Sequence, residues 1–258
     1  MINGDVVLAA FFSATVFALI HLLSNRIYRY SERHRSKMLS FFGGMSAAYV
    51  FLDLLPRLET TRVHLRTVFG EIPAFLEVLA VPGLAFIGFM GFFILEHFAL
   101  YSRRSEHIKV GIEIERVSAS KRAFAIHFVS IAFLNLIIGY ILRFEAEAGA
   151  LPLLFYTAAL SLHFIISDDT MEQHYKRLYI QFGRYFAGIL PLVGWGISVF
   201  FPENPSEGYL LLGVILGVIL FNAVKDEVPK SEGKNYSLFV AGAFIYSALL
   251  ILAAWLGG

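Results

Sequence analysis

Long apolar runs alternate with short charged connections along the whole chain. The runs cover residues 6–24, 38–55, 74–101, 123–142, 151–167, 182–201, 209–224 and 237–256. Most of them approach or exceed the roughly 20 residues that an α-helix needs to cross the hydrocarbon layer. Helices are expected because a lone strand cannot satisfy its backbone hydrogen bonds in lipid. The pattern predicts an all-α bundle of eight transmembrane helices, and the short connections predict one transmembrane domain over residues 1–258.

Composition supports a membrane protein and excludes several other classes. The 258 residues are 57% hydrophobic and 16% charged, with a mean hydropathy of +0.67. A net charge of +1 argues against nucleic acid as a partner. The absence of cysteine excludes disulfides, thiolate metal ligands and thiol catalysis. Because Asp5 precedes the first apolar run and a basic cluster follows it, we expect no cleavable signal peptide.

The distribution of Lys and Arg orients the predicted helices. Of the 21 basic residues, 17 belong to the first, third, fifth and seventh connections, and four belong to the second and fourth. Cytoplasmic loops carry the excess of Lys and Arg, so the sequence predicts that both termini lie outside. The expected location is a plasma membrane, such as a bacterial or archaeal inner membrane, with the lipid bilayer as partner.

Two distant segments carry matching patterns. Each has a glycine, an acid nine residues later, then a proline, a base and an acid: Gly44, Asp53, Pro56, Arg57 and Glu59 in the first, and Gly217, Asp226, Pro229, Lys230 and Glu232 in the second. The predicted topology puts the two copies on opposite membrane faces, as an inverted repeat requires. We therefore expect a 3+2+3 arrangement, in which segments one to three correspond to segments six to eight.

This arrangement resembles the ZIP (Zrt/Irt-like) family of divalent metal transporters. The stretch 42–56 is similar to that family's second helix, and the stretch 217–229 is similar to its seventh, which closes on an Asp-x-x-Pro pattern. Asp53 stands where the family usually has a histidine, and Arg57 stands where it usually has a glutamate. The resemblance implies an eight-helix bundle with a metal site built mainly on the two central helices.

The resemblance also implies a set of metal ligands. The family typically carries His-Asn-x-x-Asp on helix four and His-Glu-x-x-His-Glu on helix five, and only the first histidine of each motif and the last acid of the second are matched here. Another acid resembles the glutamate that often ends helix three. The implied ligands are His127, His163, Asp168 and Glu96. The implied metal, zinc or a similar ion, is a substrate and not a permanently bound cofactor.

Other polar residues lie within or beside the apolar segments, where an ionisable side chain is costly and by default a functional candidate. Shallow side chains that reach the headgroups on their own are the competing interpretation. An asparagine fits a hydrogen bond between helices as well as a ligand role, and acids after segment five fit a solvated helix start as well as metal capture. These accessory candidates are His21, Asp53, Asn135, Asn222, Asp169 and Glu172.

The sequence favours a divalent metal transporter that works by movement of segments four and five against the rest, and no enzymatic activity is expected. The incomplete ligand set keeps a second interpretation open, a ZIP-like protein without metal transport that carries another solute or has a sensing or scaffold role. A zinc-dependent membrane hydrolase is the minor alternative, with a metal-activated water among His127, Ser130, His163, Ser167 and Asp168. The oligomeric state is open, with a homodimer among the options.

Overall fold

Helices account for almost all of the chain that the structure, a computed structural model, describes. The described residues are 3–30, 35–57, 59, 62, 65–66, 69–71, 73–110, 121–200, 205–227 and 235–257. No β-strand occurs within these ranges, which confirms the predicted all-α class. Three residues of the second repeat copy, Pro229, Lys230 and Glu232, lie outside the described part.

The main helices follow one another along the chain, and helical residues also occur at 59, 62, 65–66 and 69, between the second and the third of them. They are α1 (Gly4–Tyr30), α2 (Arg35–Tyr49), α3 (Ala74–Val110), α4 (Lys121–Ala148), α5 (Ala150–Leu178), α6 (Arg184–Phe200), α7 (Pro205–Asn222) and α8 (Tyr236–Gly257). Three π-helical turns continue or join them: π1 (Val50–Leu54) after α2, π2 (Tyr179–Gly183) between α5 and α6, and π3 (Ala223–Glu227) after α7. The two repeat copies therefore end alike, each in a π-helical turn that contains its acid, Asp53 or Asp226.

Several helices are long and apolar enough to cross a membrane. Within the described ranges these stretches are Gly4–Ser24, Ala74–Phe98, Phe124–Ala148, Ala150–Phe200 and Tyr236–Trp255, with a shorter apolar helix at Leu210–Lys225. Large apolar side chains such as Phe86, Phe244 and Trp255 are exposed on the outside of the bundle. Hydrocarbon is the solvent that such a surface requires, so the chain is a multi-pass membrane protein.

The longest apolar stretch reverses direction between α5 and α6. His21 of α1 contacts Asp168 of α5, and Asn135 of α4 contacts both His21 and the carbonyl of Ala187 in α6. A straight helix would hold residues 168 and 187 about 28 Å apart, so the chain must fold back between them. Tyr175 leaves the helical region (φ −134°, ψ 26°) just before π2. The fifth apolar segment is predicted to end at residue 167, but α5 continues to residue 178, and the first two acids that follow, Asp168 and Asp169, are buried in the bundle.

Glycines bring α2 against α8 and α3 against α7 at the level of the backbone. A Cβ atom added to any of four glycines would overlap a carbonyl oxygen of the opposing helix: Gly44 with Phe239, Gly242 with Phe41, Gly217 with Ala85, and Gly88 with Val214. On each of the four helices the two contacting positions are three residues apart. They are Phe41 and Gly44, Ala85 and Gly88, Val214 and Gly217, and Phe239 and Gly242. The two helix pairs thus share one packing pattern. Each pair contains one glycine of the repeated sequence pattern, Gly44 in α2 or Gly217 in α7.

Substitution at these glycines tests the shared packing. Gly44→Ala and Gly217→Ala should each lower stability by about 1–3 kcal/mol, because the added methyl group forces two backbones apart. In an ordinary helix the same change is stabilising by roughly 0.5–1 kcal/mol. Gly91→Ala is the matched control, since nothing lies within 4 Å of its added Cβ. Thermal unfolding in detergent is the measurement, and variants of Gly44 or Gly217 that melt at or above the wild-type temperature would contradict the described contacts.

Candidate functional site

A chain of hydrogen bonds runs through the middle of the bundle. Oδ1 of Asp168 accepts a hydrogen bond from Nδ1 of His21 at 2.7 Å, and it also accepts one from the hydroxyl of Tyr179 in π2. Nδ2 of Asn135 lies 3.0 Å from Nε2 of His21 and donates to the carbonyl oxygen of Ala187 at 3.2 Å. His21 is 0% exposed and Asp168 is 1% exposed. This central chain therefore joins α1, α4, α5 and α6 in the interior.

Pro191 explains why the carbonyl of Ala187 is available to Asn135. Proline lacks the amide hydrogen that would bond the carbonyl four residues earlier in a regular α-helix. Asn135 supplies the donor in its place. The two helices approach closely here, because a Cβ at Gly139 would overlap the carbonyl of Pro191 and a Cβ at Gly194 would overlap a carbonyl of α4. The backbone contact between α4 and α6 thus holds the amide within reach of both partners.

A second polar group lies among α3, α4 and α7. Oε2 of Glu96 lies 3.1 Å from Nε2 of His127, and Oε1 of Glu96 lies 2.8 Å from Nζ of Lys225 in π3. Nδ1 of His127 lies 3.4 Å from the hydroxyl of Tyr175. A cluster of apolar and aromatic side chains surrounds the group, including Phe92, Phe124, Phe128, Ile131, Met171 and Phe221. The ammonium group of Lys225 compensates the buried carboxylate, so an internal cation occupies one side of Glu96.

Three of the four ligands implied by the sequence are divided between these two groups. Asp168 belongs to the central chain with His21, whereas Glu96 and His127 contact each other in the second group. His163 is buried on α5, and its ring centroid lies 6.1 Å from that of Phe164. Among the described side chains, no set of three or more His, Asp and Glu is arranged to hold a metal ion. The structure offers two His–carboxylate pairs as candidate ligand groups.

The remaining accessory candidates lie at several places in the bundle. Asp169 accepts hydrogen bonds from Nε of Arg35 at 2.5 Å and from Nε2 of Gln173 at 2.5 Å. Glu172 is partly buried on the same helix, and Asn222 is buried at the end of α7. The acids that follow the fifth apolar segment are therefore not a solvated helix start, because α5 continues through them and Asp169 is enclosed.

Arg57 organises a third polar group at the end of α2. Its Nη1 atom lies 2.7 Å and 2.6 Å from the two carboxylate oxygens of Glu145 on α4, and its Nη2 atom lies 2.7 Å from Oδ2 of Asp53. Burial acts to lower the pKa of Arg57, but the neighbouring acids, Glu145 foremost, raise it above its ordinary value. The guanidinium stays charged and compensates a carboxylate that is 3% exposed.

Helix α4 is consequently held by ion pairs towards both of its ends. His127 joins the Glu96–Lys225 group, and Glu145 joins the Arg57 group. Eighteen residues separate them, which corresponds to about 27 Å along a helix, close to the roughly 30 Å thickness of the hydrocarbon layer. The two groups therefore lie near opposite faces of the membrane, and Asn135 of the central chain lies between them.

Four residues of these groups are not singled out by the sequence, and one of them is Tyr175, the contact of His127. Tyr179 and Lys225 follow predicted apolar segments and read as parts of connections, and Glu145 follows the end of segment four. The available signal for Glu145 is Arg57, a base where the resembled family usually has a glutamate, because a base beside an apolar segment is a candidate partner for a nearby acid. Pro191 was another, because it predicts a free carbonyl at Ala187.

Fold and polar groups together define an α-helical, multi-pass membrane protein with ionisable side chains buried at three levels of its bundle. No family model matches the chain, and no curated protein matches it.

The pair between Arg57 and Glu145 can be tested by removing one partner. Arg57→Ala leaves Glu145 uncompensated, and we expect a loss of about 2–4 kcal/mol in stability. The double variant Arg57→Leu with Glu145→Leu should recover most of that loss, since the almost fully buried carboxylate is removed with its partner and the remaining acid, Asp53, is partly exposed. Arg62→Ala is the control, because the Arg62 and Glu59 side chains are 40% and 66% exposed and such a pair contributes about 0–1 kcal/mol. Unfolding in detergent measures all three, and equal losses for Arg57→Ala and Arg62→Ala would contradict a buried pair.

Proposed function

We propose that this protein is a ZIP-like transporter that carries a divalent metal cation, zinc or a similar ion, across the membrane. The observation that carries the proposal is the buried His21–Asp168 pair beside Asn135. Ionisable side chains inside a membrane bundle are costly and mark the paths of ions and substrates. Imidazole nitrogen, carboxylate oxygen and amide oxygen are groups that bind such divalent cations. The resemblance to the ZIP family supports a metal as the cargo.

Two binding sites for the cation, here called stations, follow from this proposal. His21 and Asp168 form the station in the middle of the bundle, and Glu96 and His127 form the station nearer one membrane face. His163 stays a proposed contributor on α5. A cation at the second station competes with the ammonium group of Lys225 for Glu96.

The proposed topology is eight crossings in a 3+2+3 inverted repeat, with both termini outside and the protein in a plasma membrane. The asymmetric distribution of Lys and Arg supports the orientation. The shared glycine packing of α2 with α8 and of α3 with α7 supports the repeat, as do the π-helical ends of α2 and α7.

The proposed movement involves four helices and not only the central two. The central chain and the backbone contact at Gly139 tie α4 and α5 to α1 and α6. The glycine contacts tie α2 to α8 and α3 to α7. Movement between these units breaks the ion pairs that cross from one to the other, such as Arg57–Glu145 and Arg35–Asp169.

A second candidate function is favoured by Lys225. Its ammonium group neutralises Glu96 beside His127, where the proposed cation would otherwise bind. A lysine side chain that already neutralises Glu96 fits a ZIP-like protein that carries another solute or has a sensing or scaffold role. Metal uptake distinguishes the two candidates.

Uptake of radioactive zinc into proteoliposomes tests the proposed function. The wild-type protein should accumulate zinc above empty vesicles, and Asp168→Asn should remove the accumulation because it takes away the central carboxylate. Asp5→Asn is the control, since Asp5 is exposed at the start of α1, and it should transport like the wild type. Absence of uptake of zinc, iron(II) and manganese by folded wild-type protein would reject metal transport in favour of the second candidate.

Removal of the internal cation tests the role of Lys225. In Lys225→Met, Glu96 and His127 lose the competing ammonium group, so zinc binding to the purified protein should strengthen at least about tenfold, equivalent to about 1.4 kcal/mol. The double variant Lys225→Met with His127→Gln should lose that gain. Calorimetric titration provides the measurement, and unchanged zinc affinity in Lys225→Met would show that Glu96 and His127 are not a cation station.

A further inference from the structure

We infer that the reversal between α5 and α6 couples the central chain to the polar group of Glu96 and His127, through two tyrosines that lie in it. The reversal comprises residues 175–183, here called the reversal segment. This coupling belongs to the fold and does not require a bound cation. Its extension to cations, in which binding at one station changes the affinity of the other, rests on the transport function proposed above.

The two tyrosines of the reversal segment contact a different polar group each. The hydroxyl of Tyr175 lies 3.4 Å from Nδ1 of His127, and the two rings pack edge to face with their centroids 5.6 Å apart. The hydroxyl of Tyr179 donates to Oδ1 of Asp168 in the central chain. Both tyrosines are buried, at 4% and 1% exposure. One side chain of each station therefore contacts the same short segment.

Backbone hydrogen bonds join the two tyrosines to each other. Tyr175 has non-helical dihedral angles (φ −134°, ψ 26°), so the direction of the helix changes at this residue. The amide of Tyr179 nevertheless donates to the carbonyls of Tyr175 and Lys176, which closes the turn between them. Contiguous chains of packed side chains and hydrogen bonds are what carries energetic coupling between sites. The path from His127 to Asp168 is contiguous in this sense.

The ring of Tyr179 is tightly enclosed at the end of the reversal segment. A Cβ atom at Gly183 would lie 2.5 Å from Cδ2 of Tyr179 and 3.3 Å from Cζ of Phe124. The ring of Phe124 also packs against that of Tyr175, with centroids 5.5 Å apart. The missing side chain at residue 183 thus lets Tyr179 and Phe124 pack at this place, and Phe124 provides a second contact between the tyrosines.

This enclosure explains why a change at one group reaches the other. If Asp168 no longer accepts from Tyr179, the hydroxyl is left buried without that partner, which is costly unless the ring shifts. The close packing around the ring limits its own rotation, so the shift falls on the turn that carries Tyr175. The contact of Tyr175 with His127 changes in turn, and with it the 3.1 Å approach of His127 to Glu96.

A second route between the two groups runs along α4. His127 and Asn135 lie eight residues apart on this helix, and Asn135 contacts His21 of the central chain. Eight residues correspond to about 12 Å along a helix. A test of the reversal segment must therefore remove the tyrosine route while leaving α4 unchanged.

For cations, the coupling makes the two stations interdependent. A cation bound to Oδ1 of Asp168 uses the lone pairs that accept from Tyr179, so the hydroxyl is displaced. By linkage, a cation at Glu96 and His127 must change the affinity of the central station by the same factor. We expect a factor of at least about five, the lower end of typical coupling between sites.

A cycle of variants tests the coupling without any metal. His127→Gln and Asp168→Asn are made singly and together, and thermal unfolding in detergent gives their Tm values. The Tm change of the double variant should differ from the sum of the single changes by at least about 2 °C. In a Tyr179→Phe or Gly183→Ala background the changes should add, because the tyrosine route is interrupted. Tyr185→Phe is the control background, since Tyr185 is 45% exposed, and it should keep the non-additivity.

Calorimetric titration with zinc tests the extension to cations. The affinity of the station formed by Glu96 and His127 is measured in Lys225→Met, where the competing ammonium group is absent. Adding Asp168→Asn, which removes the carboxylate of the central station, should change that affinity at least about fivefold. When Tyr179→Phe is also present, Asp168→Asn should leave the affinity unchanged.

Each outcome decides one part of the inference. Additive Tm changes in the wild-type background reject the coupling, even when zinc is transported, and so does non-additivity that persists in both Tyr179→Phe and Gly183→Ala. If the cycle behaves as expected but zinc does not bind, the coupling stands and the proposed metal transport fails. If zinc binds with an affinity that Asp168→Asn does not change, the extension to cations alone is rejected. Should Tyr179→Phe fail to fold, Gly183→Ala decides both experiments.

Discussion

The carboxylate of Asp168 is the group on which the arrangement of the bundle depends. It lies in the interior of a membrane protein, where an uncompensated charge is costly, and it is satisfied by hydrogen bonds from two other elements. His21 reaches it from α1 and Tyr179 reaches it from π2. Through His21 the chain extends to Asn135 on α4 and the backbone of α6. One buried acid thus determines how α1, α4, α5 and α6 meet.

The backbone of α6 takes part in this chain of hydrogen bonds because Pro191 has no amide hydrogen to donate to the carbonyl of Ala187. Lipid offers no hydrogen bonds, so a proline in a membrane helix requires a replacement from a neighbouring helix. Asn135 provides it for Ala187, and small residues at Gly139 and Gly194 allow the approach. The scaffold pairs α2–α8 and α3–α7 also rely on glycine. Close packing at glycine therefore brings Asn135 to the backbone of α6 in the centre, and it joins α2 to α8 and α3 to α7.

The sequence could predict the class of structure and several individual residues, but not how they pair. The apolar runs define helices of a multi-pass membrane protein, and His21, Asn135 and Asp168 are recognisable as polar residues in apolar surroundings. Their mutual contacts depend on the rotation of separate helices, which no spacing within one helix determines. Tyr179 escaped notice because the reversal at π2 brings a residue of a connection back into the core. In the sequence Arg57 and Lys225 belong to connections, although each compensates a buried acid.

The two ion-pair groups at the ends of α4 have similar chemistry, and this similarity matters for the transport cycle proposed above. Arg57 and Lys225 are both partly buried bases, and both bind an almost fully buried glutamate. When breaking either group costs a comparable free energy, opening the proposed transporter towards one membrane face is not strongly preferred over opening it towards the other. A small difference in binding at the centre then suffices to shift the equilibrium, since a ligand moves a two-state system only by its differential affinity. The His21–Asp168 pair contacts Asn135, which lies between the two groups on α4, so a cation bound there in the proposed cycle acts on both.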